Sequence, residues 1–384
     1  MIRTLTGYSD EIDDVELAVS EILEHLNIKE NLLRNSIGII ACSLDFIKSG
    51  VVRALCGELP FDVVGINTFG SATALGGGYM ILSVVVLTSD DASFSAGVSK
   101  SVEPNPRQSI EELYNGIAAG LDDEPKLMLA ILPFLPRTSG DTLTKCLDSI
   151  SGGVPIFGFV PSDYTTNFRL PLVIFNGETY QDSCAIVLLS GSVRPRFFSS
   201  AIPEDKVLKR KAIVTESDGN YLKSINGTLA SEFIESHGII ERGNIWGSKV
   251  IPFIIDFNDG TPCIVRVLNM ITREGYLILG GEAQENSTIG FGMFDSDDII
   301  DTASCLIDAI SETSHDCLLI ASCVTRNFIL ELDNDAEIEL FRSRLGNDSP
   351  FLFLYGGGEV YPAICGDKNC SNRFHNLTLV CCAL

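Results

Sequence analysis

The stretch "YGGGEVYPAICGDKNCSNRFHNLTLV", residues 355–380, concentrates the residue types that can do chemistry. Three consecutive glycines precede a glutamate, and glycine allows a backbone to approach a ligand closely or to adopt positive φ. A histidine flanked by an arginine and an asparagine, near such a turn and a carboxylate, is typical of a binding or catalytic site. The candidate ligand-binding residues here are Gly357, Gly358, Glu359, Arg373, His375, Asn376 and Thr378.

Strand alternation predicts which of these side chains share a face. Arg373 and His375 would lie on one face with Leu377, and Asn376 would lie on the other with Thr378. A structural alternative stays open. In that alternative Glu359 and His375 pair with each other, or with Arg373, and only tie the last two strands together.

A second candidate is the small-residue loop "GINTFGSAT", residues 65–73, which follows an apolar run. Its backbone N–H groups could cradle an anion, with Asn67, Thr68 and Ser71 facing the ligand. The loop lacks the lysine of the P-loop pattern and is not G-x-G-x-x-G. A plain connection between a strand and a helix explains it equally well.

Arg326 follows a strand that should be buried, and an unpaired buried charge is costly. Its partner is either a core carboxylate, which is slightly favoured, or the carboxylate of a ligand held by a bidentate fork. Cys323 beside it could be a nucleophile, but the sequence supplies no base, so an inert thiol is favoured.

The sequence lacks the patterns of common hydrolases and metal sites. Neither a nucleophile elbow nor H-E-x-x-H occurs, and we therefore expect a protein that is not an enzyme, without catalytic residues. Cys365 and Cys370 form C-x4-C, which is poor spacing for zinc, so no metal is expected.

Composition limits the partners. With 27 Lys+Arg against 51 Asp+Glu the net charge is −24, which disfavours nucleic acid and anionic membranes as partners. The chain opens without a secretory signal, and no apolar run reaches the length of a membrane helix. We therefore expect a cytoplasmic protein that does not insert into membranes.

The hydrophobic pattern predicts an α/β (α+β) protein of two domains, residues 1–205 and 206–384. Each would contain a mixed, partly antiparallel sheet flanked by helices. The pattern places a helix at about 12–27, a capping box at Ser109 and Glu112, a hairpin turn at Asn176-Gly177 and a linker at about 198–209. No short internal repeat is visible.

The order of these motifs resembles FIST proteins, which combine FIST-N and FIST-C halves. The resemblance runs from about Ser36 to the end and includes "VVGINTFGSA", "VIFNGETYQDSCAIVLLSG", "GYLILGGEAQENSTIGFGMFD" and "IASCVTRNFIL". Its most specific elements are Gly358-Glu359 and the His-Asn-x-Thr of His375, Asn376 and Thr378.

The resemblance implies a signal-sensing module. It would bind a small ligand, such as an amino acid or similar metabolite, and pass the signal to a signalling protein or a fused output domain. An arginine would hold the ligand carboxylate, Glu359 would accept from its ammonium group, and the two halves would shift. No cofactor is expected in this interpretation.

Three alternatives remain. The first is a haem-based nitric oxide sensor with His375 or another histidine as axial ligand. The second is a cysteine-dependent enzyme with Cys323 or Cys365 as nucleophile and His375 as base. The third is an interaction scaffold whose tail loop docks a partner.

Overall fold

A computed structural model describes residues 1–135, 138–163, 170–208, 211–239, 251–331, 335–346, 349–365 and 370–384. The mixed α/β class predicted from the hydrophobic pattern is confirmed. In the described part of the chain, every helix is too short or too polar to span a lipid bilayer.

Three successive units of the chain fold in the same way. Each contributes an opening strand, a helix, a parallel pair of strands joined by a helical crossover, a short hairpin and a closing strand. The buried strands read as apolar runs such as "LMLAI" and "FLFLYG", because both of their faces are covered. This structural repeat is not visible as a repeated sequence, because the three units share only their strand pairing and their apolar pattern.

The first unit ends at residue 89. Its elements are β1 (Arg3–Ser9), α1 (Val15–Leu26), α2 (Ile28–Asn31), β2 (Asn35–Cys42), α3 (Leu44–Lys48), α4 (Val51–Glu58), β3 (Val63–Asn67), β4 (Ser71–Ala72), β5 (Gly77–Gly78) and β6 (Leu82–Ser89). The second unit contains β7 (Ala92–Val98), α5 (Pro106–Ala118), β8 (Leu127–Ile131), α6 (Gly140–Ser151), β9 (Ile156–Phe159), β10 (Val173–Phe175), β11 (Glu178–Tyr180) and β12 (Ala185–Gly191).

The third unit is interrupted by an insertion after its first strand. The strand is β13 (Arg196–Ser200), and a 3-10 turn follows at Glu204–Lys206. The insertion contains β14 (Ala212–Asp218), β15 (Tyr221–Ile225), β16 (Thr228–Leu229), α7 (Ala230–Ser236), β17 (Pro252–Asp256), β18 (Ile264–Ile271), β19 (Leu277–Leu279) and β20 (Thr288–Phe291). The unit then resumes with α8 (Ser296–Ser311), β21 (Leu318–Cys323), α9 (Val324–Leu330), α10 (Ala336–Leu345), β22 (Phe351–Gly356), β23 (Glu359–Cys365), β24 (Cys370–His375) and β25 (Leu379–Ala383).

Each unit gives its hairpin to the sheet of another unit. The three sheets have the orders β1-β6-β2-β3-β10-β11, β7-β12-β8-β9-β23-β24 and β13-β25-β21-β22-β4-β5. The first unit's hairpin, β4–β5, therefore completes the sheet of the third unit. The second unit's hairpin, β10–β11, completes the sheet of the first, and the third unit's hairpin, β23–β24, completes the sheet of the second. The exchange is cyclic and interlocks the whole chain.

The insertion forms a sheet of its own, which we call the ring sheet. Its strand order is β14-β20-β17-β18-β19-β15-β16, and an additional pairing of β14 with β15 closes it on itself. Side chains inside it form a separate apolar cluster. The other three sheets, which we call the body, enclose one central core. Strands of all three contribute to it, including Ile39, Val85, Leu129, Phe157, Leu319 and Leu352.

Several local predictions are confirmed and others are wrong. The first helix, α1, begins at Val15 and ends at Leu26, and Asn176 and Gly177 both have positive φ in the predicted turn between β10 and β11. The predicted capping box is wrong: α5 begins earlier, at Pro106, where the Asn105 side chain accepts from Gln108 N–H. Part of the predicted linker at 198–209 is strand, since β13 pairs with β25.

The boundary between residues 1–205 and 206–384 stays a prediction. The ladders nevertheless cross it, because β4 pairs with β22 and β9 pairs with β23. Sheets shared in this way do not allow the two halves to rotate as separate bodies.

Candidate functional site

The last hairpin places the densest group of predicted site residues. In the β23–β24 ladder Glu359 lies opposite His375 and Tyr361 opposite Arg373. β24 ends at His375, and Leu377 then adopts φ 54°, which turns the chain out of this sheet and into β25 of another. The predicted common face of Arg373, His375 and Leu377 is therefore wrong, because no single strand contains all three.

Glu359 is fully buried at the start of β23. Thr378 Oγ1 donates to its Oε2 at 2.7 Å, while its Oε1 has no partner among the described residues. Burial raises the pKa of this carboxyl well above its usual value, and the hydrogen bond from Thr378 and the charge of Arg326 act in the opposite direction. Burial therefore favours the neutral form of Glu359.

His375 is also closed off, with 3% of its surface exposed. Its ring stacks on Tyr361 with centroids 4.2 Å apart, and its Nε2 lacks a partner in the described part of the chain. Burial lowers the pKa of the imidazole well below its usual value, and the charges of Arg266 and Arg373 add to the effect. The histidine is therefore a neutral ring.

Asn376 lies in a slot that two glycines create. A Cβ added at Gly280, just after β19 of the ring sheet, would lie 2.6 Å from Asn376 Oδ1, and one added at Gly358 would lie 3.3 Å from Nδ2. The Oδ1 atom is buried without a hydrogen-bond partner among the residues described. Asn376 thus places an unsatisfied acceptor where the body meets the ring sheet.

The glycines of the β22–β23 turn are required by close packing. The N–H of Gly357 donates to Val160 O at 2.9 Å, and the Val160 N–H donates to Gly358 O at 3.0 Å. Gly358 has φ 158°, and a Cβ there would lie 2.3 Å from the Phe374 ring. These glycines tie the third unit's hairpin to the end of β9 in the second unit.

Arg326 has the core carboxylate that the sequence slightly favoured. Its Nη2 donates to Glu337 Oε1 at 2.7 Å and its Nε to the same oxygen at 3.0 Å, and both side chains are fully buried. Ile299 O and Thr302 Oγ1 accept from Nη2 as well. Its Nη1 remains without an acceptor in the described structure, so one donor is left over from the ion pair.

The loop after β3 shows structural contacts. Asn67 accepts from Leu172 N–H and donates to Leu170 O, and Thr68 Oγ1 donates to Tyr355 O at 2.7 Å. Ser71 Oγ donates to the Ala41 carbonyl, and all three predicted residues are buried. These hydrogen bonds join the ends of neighbouring strands and do not bring the three side chains to the β23–β24 hairpin. Their ligand-binding role remains a prediction.

Arg373 contacts residues of the inserted ring sheet. Its Nη2 donates to Asp259 Oδ2 at 2.6 Å, and its guanidinium lies over the Phe257 ring at 5.5 Å. Both partners follow β17 of the ring sheet. Arg373 therefore links the body to the ring sheet.

A buried ion pair that was not predicted from the sequence also links the body to the ring sheet. Arg266 in β18 is fully buried, and its Nη2 donates to Asp141 Oδ1 at 2.6 Å. Its Nη1 donates to Phe374 O at 2.9 Å, next to His375. An arginine inside the apolar run "CIVRVL" was the available indication of a buried, paired charge.

Glu282 extends this junction. Its N–H donates to Asp141 Oδ2 at 2.8 Å, and its carboxylate accepts from Lys145, Ser139 and Thr142. Burial alone would raise the pKa of Glu282, but the hydrogen bonds from Lys145, Thr142 and Ser139 outweigh it and hold the pKa below its usual value. The start of α6 is thereby fixed to the ring sheet.

The cysteines give little support to nucleophilic chemistry. Burial raises the pKa of Cys323 to about 12, because the thiolate would lose its hydration, so the thiol is neutral. Cys370 is disulfide-bonded, and the side chain of Cys365 lies outside the described residues.

A porphyrin does not fit beside His375 in this conformation. The ring is stacked on Tyr361, and its free nitrogen is sealed from solvent. Haem needs an open apolar cavity next to the ligating nitrogen. We therefore derive no chemistry through haem.

Two surface depressions lie away from the hairpin. One has a volume of about 510 Å³ and is lined by Asp91, Asp123, Glu124, Lys126, Gly191 and Ser192. The other, of about 700 Å³, lies between α1, α2 and α4. Neither contains a predicted site residue. The side chains of Glu359, His375 and Asn376 are buried and form a closed polar cluster.

Comparisons with known proteins agree with the motif order. No curated protein matches the chain. Among solved structures, cyanuric acid hydrolase from A. caulinodans is similar at 10% identity and a TM-score of 0.29, covering 50% of this chain and 72% of that one. The FIST N domain matches residues 36–228 and the FIST C domain matches residues 221–362. The chain therefore belongs to the FIST family.

Proposed function

We propose that this chain senses a small zwitterionic ligand of the amino-acid type at the buried cluster of Arg326, Glu359, His375 and Asn376. FIST domains are signal-sensing domains, and both of them are present here. The observation that carries the proposal is that each of the four side chains has a buried polar atom without a partner in the described structure.

The chemistry of the unpaired atoms fits such a ligand. Arg326 Nη1 is a donor, as a ligand carboxylate requires, whereas Glu359 Oε1 and Asn376 Oδ1 are acceptors, as an ammonium group requires. The charge of Arg326 also lowers the pKa of Glu359, although burial and the Thr378 hydrogen bond have larger effects. The two groups therefore belong to one electrostatic environment. An unpaired buried polar atom costs about 1–3 kcal/mol, which a complementary ligand would recover.

Binding of an ammonium group would involve a proton. In the closed cluster burial raises the pKa of Glu359 and so favours its protonated form. A cation bound at Oε1 would favour the carboxylate, so Glu359 would release its proton on binding. Ligand affinity should therefore increase with pH until the carboxyl is ionised.

The closed cluster must open to admit a ligand, which couples binding to a change of conformation. Because the two sequence halves share sheets, the moving part is the ring sheet, which meets the cluster at Gly280 and is held by Arg373–Asp259 and Arg266–Asp141. A shift of the ring sheet against the body would pass the signal to a partner protein or an output domain.

Thermal unfolding of the full chain in the presence of individual amino acids and small amine metabolites tests the proposal. A ligand at about 100 times its Kd stabilises by about 2.7 kcal/mol. We expect such a ligand to raise the Tm of wild type and not of Glu359→Gln, whereas Glu111→Gln, on the exposed face of α5, should respond like wild type. If Glu359→Gln responds as strongly as wild type, the proposed site is wrong.

A further inference from the structure

The helices of the first unit leave an apolar groove open on the surface. The α1–α4 groove has a volume of about 700 Å³, and Val15, Val19, Leu23, Ile28 and Ala54 contribute its apolar lining. These side chains pack against the same cluster that covers the outer face of the first sheet. The groove is thus a continuation of a hydrophobic core that α1, α2 and α4 do not fully cover.

Acidic side chains flank this apolar lining. Glu16, Glu24 and Glu58 line the groove and are exposed, against a single lysine, Lys29. Within the described structure none of the three carboxylates has a hydrogen bond or an ion pair to another residue. They are therefore available to an incoming partner.

We propose that the α1–α4 groove docks a basic amphipathic helix of a partner protein. Apolar side chains spaced along one face of such a helix would fill the groove, in the manner of known helix-in-groove recognition. Lysines or arginines beside that face would meet the three glutamates, and the net charge of −24 would steer the encounter.

The length of α1 sets the length of the partner segment. Its 12 residues span about 18 Å at 1.5 Å per residue. A partner helix lying along it therefore needs about three to four turns. The groove lies on the first unit and contains no residue of the ligand cluster, so this inference does not depend on the proposed ligand.

The test measures binding of a fluorescein-labelled peptide of about 14 residues, built from leucine and lysine with leucines on one helical face. The control peptide has the same sequence with glutamate in place of lysine. We expect the full chain to bind the lysine peptide in fluorescence anisotropy, more weakly at high salt, and not to bind the glutamate peptide.

Two sets of variants locate the binding. Glu16→Gln/Glu24→Gln/Glu58→Gln should raise the Kd about tenfold, since it removes the three exposed charges that would pair with the lysines of the peptide. Leu23→Asn should weaken binding as well, with circular dichroism and Tm confirming that it folds. The matched control Glu111→Gln/Glu274→Gln/Glu312→Gln removes the same charge from exposed positions elsewhere and should bind like wild type.

Equal loss in the control triple variant would show attraction to the acidic surface in general and would overturn the inference. An unchanged Kd in the groove triple variant, or binding of the glutamate peptide, would do the same. Light scattering tests whether a second copy of the chain occupies the groove instead. A concentration-dependent dimer that Leu23→Asn abolishes would assign the groove to that second copy.

Discussion

At the scale of single residues, burial decides the charge of the candidate site. Glu359 and His375 face each other across a ladder, and in water such a pair would form an ion pair. Here burial moves the two pKa values in opposite directions, up for the carboxyl and down for the imidazole, so it favours the neutral form of both groups. Their backbones pair, but Glu359 Oε1 and His375 Nε2 remain unsatisfied in the described structure.

Glu359→Gln should change how stability depends on pH. Above the unfolded pKa of about 4.5 the unfolded chain releases this proton while the folded chain retains it, so the free energy of unfolding falls as pH rises toward the folded pKa. Glutamine resembles the neutral acid and removes that decrease. We expect urea unfolding to show Glu359→Gln gaining stability relative to wild type as the pH rises above the unfolded pKa.

The control for this measurement is Glu111→Gln, since Glu111 is exposed on α5. Its stability relative to wild type should not increase over the same pH range. A flat difference between Glu359→Gln and wild type would mean that Glu359 is ionised in the folded protein.

At the scale of elements, glycines at strand and turn ends allow the ring sheet to approach the body. Gly280 leaves space for Asn376, and its neighbour Gly281 leaves space for the Arg266–Asp141 pair, where a Cβ would lie 2.5 Å from Asp141 Oδ2. The motif "LGGE" is thus explained by contacts on both of its glycines. A side chain at either position would separate the two parts.

Gly280→Ala should destabilise the protein. Its Cβ would lie 2.6 Å from Asn376 Oδ1 and 3.0 Å from Cγ, so the amide or the ring sheet must shift, at a cost of about 1–3 kcal/mol. The matched control is Gly57→Ala in α4, where nothing lies within 4 Å and alanine should be neutral or stabilise by up to about 1 kcal/mol. Urea unfolding of both variants checks the prediction, and equal midpoints would show that the contact is unimportant.

The sequence predicts elements better than it predicts their assembly. Apolar runs such as "VVGIN" and "LLIASC", and the periodic face of α1, follow directly from local pattern, and the structure confirms them. The exchange of hairpins does not follow, because β4 and β5 have two residues each and β22, the partner of β4, lies far along the chain. Likewise Arg373 is visible as a charge, but nothing local indicates that Asp259 is its partner.

At the scale of the whole molecule, the cyclic exchange joins the two sequence halves. Residues 1–205 contain β4 and β13, whose partners β22 and β25 lie in residues 206–384. In return, β23 and β24 complete the sheet of β8 and β9. The central core takes side chains from all three sheets, so neither half contains the whole of that core.

Separate expression of residues 1–205 and 206–384 should therefore give chains that do not fold alone. Each half would expose unpaired edge strands and the apolar side chains of the divided central core, which favours aggregation. Co-expression should restore a soluble complex, because the missing strands pair across the cut. Size-exclusion chromatography and thermal unfolding check this, with the intact chain as reference. A cooperative transition in either fragment alone would show that the halves are independent domains. In that case the signal could pass through a hinge between the two halves.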